Sequence, residues 1–289
     1  MITTIFPPYD FVRTITALPR KNASPGGTAV KLTMLLKPGA ESHSYEPSPQ
    51  DIIAIQNAGL FIYVGGESEE WANRILDSMD GSKTRIIALM DCVDPVEEEI
   101  VEGMEQDEDG EAGPAYDEHV WTSPRNAKRI VEKIARALCE ADPPNAGLYE
   151  RNAAACLAEL DALDGEFRAI VSGAARKTLI FADRFPLRYF IDAYNLNYYA
   201  AFPGCSTETE PSAAVVAFLI NKIRAEKIPV VFHLEFSNGR MADAISESTG
   251  ADKRLFHSAH NVSRDELAAG ITYVEIMRRN EAALREALW

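Results

Sequence analysis

Five histidines, His43, His119, His233, His257 and His260, all fall in stretches that disfavour helix, most of them just past a run that reads as a β-strand. Imidazole nitrogen suits borderline metals such as zinc, so sparse histidines gathered at loop ends read as a ligand set. A lone histidine is more often a surface or hydrogen-bonded residue than a ligand. Two of the five rise above that background. His43 lies in Pro38-Gly39-Ala40-Glu41-Ser42-His43-Ser44-Tyr45-Glu46-Pro47-Ser48-Pro49, which has too many prolines for a helix and too few apolar residues for a strand. His119 lies in Tyr116-Asp117-Glu118-His119-Val120-Trp121-Thr122-Ser123-Pro124, directly ahead of a helix-forming run.

The run from Pro38 to Asp51, followed by Asp117 to Pro124, resembles the metal receptors that feed zinc or manganese to bacterial ABC importers, in their zinc-uptake form. The resemblance reaches from Thr3-Thr4-Ile5-Phe6-Pro7-Pro8-Tyr9-Asp10 to Gly270-Ile271-Thr272-Tyr273, nearly the whole chain. It implies two α/β lobes joined by one long rigid helix. It also implies Zn²⁺ as transported ligand, an integral-membrane permease as partner, and an exported, lipid-anchored protein with no catalytic step. His43 and His119 match the histidine pair that such receptors draw from N-terminal loops.

The third ligand of such receptors, a histidine or glutamate, precedes a Phe-x-Tyr-Phe stretch. Here that segment reads Phe181-Ala182-Asp183-Arg184-Phe185-Pro186-Leu187-Arg188-Tyr189-Phe190, with extra residues and no histidine. Asp183 is the nearest candidate, and a salt bridge to Arg184 or a helix cap competes with ligation on equal terms. The fourth ligand of such receptors, an aspartate or glutamate, follows a Gly-Ala pair and a short strand, which from Gly250-Ala251 leads here to His257, with His260 close behind, so that one of the two can ligate and the other support it. His233 and Glu235 are expected to hydrogen-bond structurally, with replacement of the missing third ligand as the lesser alternative. The expected metal set is therefore His43, His119, Asp183 and His257. Three imidazoles and one carboxylate suit Zn²⁺ better than Mn²⁺.

The elements that must position these residues follow from periodicity. Strand-like runs at Ile2–Phe6, Val30–Leu36, Leu60–Val64 and Thr84–Leu89 alternate with helical runs at Asp10–Leu18, Pro49–Ala58 and Glu69–Met79. Such βα alternation implies a parallel sheet flanked by helices. The segment 94–118 is acidic and poor in apolar residues, and reads as a mobile, solvated loop. Helices are expected at Pro124–Glu140 and Asn145–Val171, the second carrying Cys156, Leu160, Leu163, Phe167 and Ile170 on one stripe.

A second series has strands near Thr178–Phe181, Asn197–Ala201, Pro229–Phe232 and Arg254–Phe256. Its helices lie near Pro186–Tyr194, Pro211–Glu226 and Gly239–Ser248, with one long helix from Arg264 to Leu288. The reading is an N-terminal lobe 1–144 with the acidic loop, a linking helix 145–172 and a C-terminal lobe 173–289. Independently of any resemblance, ligands of open parallel sheets bind beyond the carboxyl ends of strands. His43, Asp183, His233, Glu235 and His257 follow predicted strands, so they can converge in a cleft between lobes.

At 289 residues, two lobes are the natural expectation. The formal charge of −15 argues against nucleic acid, which demands basic surface. The four cysteines, Cys92, Cys139, Cys156 and Cys205, have no CxxC spacing, so neither a zinc knuckle nor a dense disulfide framework is indicated. A monomer is expected. Met1 runs straight into a strand-like stretch, which fits either a cytoplasmic protein or a mature form without its export segment, and the resemblance to exported receptors favours the second. A manganese or iron receptor, a metal-containing surface adhesin and, further off, a zinc hydrolase are the alternatives. The hydrolase lacks an HExxH motif.

Overall fold

Parallel strands cannot be joined by a tight turn, so each needs a crossover, and this chain supplies a helix or a long connection between successive strands. A computed structural model describes residues 1–18, 30–79, 84–104, 116–206 and 211–289. Its strands form two four-stranded sheets, in the orders β2-β1-β3-β4 and β6-β5-β7-β8. All pairings are parallel. The first sheet uses β1 (Ile2–Thr3), β2 (Thr33–Met34), β3 (Leu60–Tyr63) and β4 (Arg85–Ala88). The second uses β5 (Thr178–Phe185), β6 (Asn197–Pro203), β7 (Val230–His233) and β8 (Asp252–Leu255).

The first strand is shorter than its composition implies. Pro7 and Pro8 cannot serve an interior strand but fit the first turn of a helix, where no N–H is required. Helix α1 accordingly starts at Phe6 and runs Phe6–Ile15. Helices α2 (Pro49–Gln56) and α3 (Glu70–Asp77) follow, α2 entered through a reciprocal Ser48–Asp51 capping box. Next come α4 (Pro124–Ala141) and α5 (Ala146–Ser172), whose 27 residues span about 40 Å at 1.5 Å per residue. The stripe Cys156, Leu160, Leu163, Phe167 and Ile170 is buried.

In the second series, α6 (Arg188–Tyr194), α7 (Ala213–Glu226) and α8 (Arg240–Thr249) cross between strands. Ser212 caps α7 by accepting from the Val215 N–H. The single long terminal helix is in fact two, α9 (Arg264–Ala269) and α10 (Tyr273–Leu288). Gly270 stops the first with φ of 78°, a left-handed conformation that glycine adopts without strain.

The described chain divides into two compact units. One comprises Met1–Asp94, Pro124–Ala162 and Ala259–Val274; the other comprises Pro95–Ser123, Leu163–Ser258 and Glu275–Trp289. Residues 95–123, read from sequence with the first lobe, group with the second unit. Where it is described, the acidic segment is held in place: Glu97 bridges Tyr116, and the Asp117 N–H donates to Val96 O. Its residues 105–115 lie outside the description. No helix among the described residues is long and apolar enough to cross a membrane.

Each unit has its own apolar core. The first packs Ile2, Leu35, Ile55, Phe61 and Ile75, and the second packs Ile180, Phe202, Leu219, Val231 and Ile245. In the first unit a charged clamp ties the start of the chain to its later return. Asp10, 3% exposed, accepts from the Arg13 guanidinium and from the Tyr273 N–H, and Arg13 also donates to Ile271 O. Removing one member of a buried pair strands the other. Asp10→Ala should therefore lower the unfolding free energy by about 3 kcal/mol in urea titration, far more than an exposed pair would cost.

Candidate metal centre

The second sheet carries side chains of metal-ligating type at or near its carboxyl ends. Cys205 lies just beyond β6, Glu235 beyond β7 and His257 beyond β8, while His233 ends β7 and Asp183 sits inside β5. Gly204 lets the chain after β6 pass close to β5, since a Cβ there would lie 2.8 Å from Phe185 O.

His119 comes from a different source, the turn Val120–Thr122 that precedes α4. It is 4% exposed. Asp117 Oδ1 accepts from the His119 backbone N–H at 2.8 Å and faces its Nδ1 at 3.2 Å. With Nδ1 as donor, the imidazole carries its lone pair on Nε2, the tautomer that a carboxylate partner fixes in metal sites. Burial disfavours the imidazolium. The charge and hydrogen bond of Asp117, helped by Glu118 and Glu98, outweigh it and raise the His119 pKa above the ordinary imidazole value. Trp121 meets the ring edge-on at 5.5 Å and donates its indole N–H to Ser258 O, which anchors the turn.

Cys205 joins His119. The sulfur and an imidazole nitrogen lie within 4.8 Å of each other, a spacing that one ion can bridge. Glu98 Oε1 accepts from the Cys205 backbone N–H at 2.7 Å, and the thiol hydrogen-bonds the same carboxylate. Burial first, then the charges of Glu98, Glu118 and Asp117, push the thiol pKa far above that of free cysteine, against a backbone hydrogen bond from Glu118. The fully buried Asp117 leaves its Oδ2 without a hydrogen-bond partner among the described residues. A buried carboxylate oxygen in that condition can be met by a cation or by water. Tyr189 OH accepts from the Val96 N–H and donates to Asp117 O, so one phenol pins both ends of the segment that carries Glu98 and leads into His119.

The other expected ligands of this unit stand outside that group. His257 is buried, with Nδ1 3.3 Å from Glu235 Oε1, so it too has an imidazole–carboxylate pairing. Asn280 grips its backbone from both sides, donating to His257 O and accepting from its N–H. Glu235 also accepts from the Ser258 N–H and hydroxyl. That structural role agrees with the sequence reading of Glu235, and His233 Nδ1 is 3.0 Å from Leu234 O. Asp183 does not cap α6, whose N-cap is Leu187 with no side-chain cap bond. It lies instead at a register shift between Phe181 and Arg184 within β5, where Oδ1 accepts from the Arg184 N–H and Oδ2 from the Leu234 N–H.

The first unit holds His43 and His260. His43 occupies a turn closed by the Tyr45 N–H to Ser42 O bond and is half-buried. Asn261 fixes the loop ahead of it by donating to Lys37 O and Ala40 O, both at 2.8 Å. The Gly39 N–H adds a bond to Val262 O. His260 Nε2 stands 3.9 Å from Glu41 Oε1, in the same loop.

Cys205 and Glu98 escaped the sequence reading. Cysteines were weighed by their spacing from one another, and a single thiol has no such pattern. The usable signal was position, since Pro203-Gly204-Cys205 follows a strand just as the histidines do. All four cysteines are unbridged.

A family model described as the periplasmic zinc-uptake complex component A, ZnuA, matches residues 1–287. The zinc-binding lipoprotein AdcA of Streptococcus pneumoniae is 30% identical over 293 residues, covering 99% of this chain and 55% of the relative. The chain thus spans about half the length of that protein. The high-affinity zinc uptake system protein ZnuA of Bacillus subtilis is 29% identical over 294 residues, covering 100% of this chain and 87% of the relative. Among solved structures, the Zn(II)-bound ZnuA-like domain of S. pneumoniae AdcA superposes with a TM-score of 0.78 at 27% identity, over 99% of this chain and 97% of that one. The metal-dependent lipoprotein YcdH of B. subtilis gives 0.81 at 27% identity, over 100% and 98%. With a match from residue 1 to residue 287, the chain belongs to the ZnuA family of zinc-uptake components.

Proposed function

We propose that this chain is an extracytoplasmic zinc receptor that captures Zn²⁺ and hands it to the integral-membrane permease of an ABC importer. In this reading it acts as a monomer, is lipid-anchored in its full-length form and performs no catalytic step. The observation that carries the reading is the buried His119, whose Nδ1 faces Asp117 Oδ1 at 3.2 Å and which stands beside a second group of metal-ligating type. The names of the relatives, zinc-binding lipoprotein and zinc uptake protein, support the choice of ion. Nitrogen and sulfur donors favour zinc over manganese.

His43, His119 and His257 are the proposed imidazole ligands. Asp183 enters the expected set as its carboxylate, and its use by two backbone amides favours a part in holding β5 to β7. Asp183→Asn separates the two roles: unchanged zinc affinity with lowered stability removes it from the ligand set, and a large loss of affinity keeps it there.

Calorimetry in chelator-free buffer should give one Zn²⁺ per chain, and zinc at a hundredfold excess over Kd should stabilise the fold by about 2.7 kcal/mol. Absence of zinc binding at neutral pH overturns the receptor reading. His43→Ala and His119→Ala should each weaken zinc binding strongly with the fold intact by circular dichroism. Asp117→Asn should weaken it by about 10–100-fold, because it orients and polarises His119.

Protons and zinc compete for the same nitrogen. Because His119 takes a proton more readily than an ordinary imidazole, affinity should fall progressively as pH is lowered from about 8 to about 5. A flat profile would exclude imidazole ligation.

A further inference from the structure

Within the second unit, the sulfur of Cys205 lies within 4.8 Å of an imidazole nitrogen of His119. We propose that Cys205 binds the ion directly as a thiolate, alongside His119, and completes the ligand set in place of the expected carboxylate of Asp183. This inference rests on the zinc-receptor reading above and adds a ligand that the imidazole set does not contain.

Three independent features support it. The first is distance: sulfur and imidazole nitrogen within 4.8 Å can share one ion, given Zn–S of about 2.3 Å and Zn–N of about 2.0–2.1 Å. The second is charge. Glu98, Glu118 and Asp117 all act on this thiol, and Asp117 Oδ2 is buried without a hydrogen-bond partner among the described residues, so the pocket is built for positive charge. The third is that Asp183 is already committed, one oxygen to the Arg184 N–H and the other to the Leu234 N–H.

The proton has a defined route. Zinc coordination deprotonates a thiol outright. The Sγ–H bond breaks as the Sγ–Zn bond forms, and the proton passes to the Glu98 carboxylate that already hydrogen-bonds the thiol, then to solvent. No electron is transferred. Glu98 thereby has a part in binding, although it lies in the acidic segment read from sequence as a solvated loop.

Cobalt(II) is the decisive probe, because a thiolate ligand gives it an intense sulfur-to-metal charge-transfer absorption that imidazole and carboxylate do not. The wild-type protein loaded with Co²⁺ should show that band, and stoichiometric Zn²⁺ should abolish it. Cys205→Ser keeps the size and hydrogen-bonding capacity of the side chain but offers a poor ligand. It should lose the band and weaken zinc binding by more than about 100-fold, beyond the usual effect of a group that merely orients a ligand. Wild-type protein that binds zinc yet shows no such band with cobalt overturns the thiolate assignment and leaves the receptor reading standing, as does undiminished zinc affinity in a folded Cys205→Ser. Wild-type protein that binds no zinc overturns both. The wild-type spectrum decides the matter even if the serine variant fails to fold.

Discussion

A carboxylate removed from water is costly unless donors or a cation meet both of its oxygens, and Asp117 is completely buried. One oxygen is met by the backbone and ring N–H groups of His119, which at the same time turns that ring and selects its tautomer. The other has no partner among the described residues. The arrangement thus stores an unmet electrostatic demand at the point where an imidazole and a thiol converge. An unmet buried acceptor of this kind lowers local stability, and such groups are commoner at binding sites than in cores.

The first unit handles His43 by other means. No strand or helix carries that residue, so its loop must be tied down from outside. Asn261, a buried side chain from a segment more than two hundred residues later in sequence, does so through the carbonyls of Lys37 and Ala40. The neighbouring Asp10 clamp binds α1 to the entry of α10, so the later chain return is fastened to this unit twice. A histidine on an otherwise irregular loop thereby acquires a defined position without secondary structure of its own.

Much of the architecture was legible because parallel α/β units have strong periodic signals. The βα alternation, the long amphipathic α5 and the positions of His43, His119 and His257 outside helices all emerged from sequence. Element ends were less legible. Pro7 and Pro8 converted the end of the first predicted strand into helix, and Gly270 cut the last helix in two. The Asp183 region was opaque for a physical reason: the residues that break the expected spacing lie at a register shift within β5, and such irregularities follow from pairing with β6, which local pattern does not encode. Cys205 was missed because its meaning depends on Glu98 and His119, each distant in sequence.

The segment between Val96 and Asp117 is sealed at its base by a backbone bond from Asp117 to Val96, by the Glu97–Tyr116 bridge and by the Tyr189 phenol, which bonds both ends. Everything the centre draws from this stretch, Glu98 and the run from Asp117 to His119, lies at or near that seal. The cost of closing a flexible connection grows only logarithmically with its length, about 0.6 kcal/mol per doubling. Between two ends so fastened, a change of length therefore carries little thermodynamic penalty, and the chemistry anchored at the base need not be retuned.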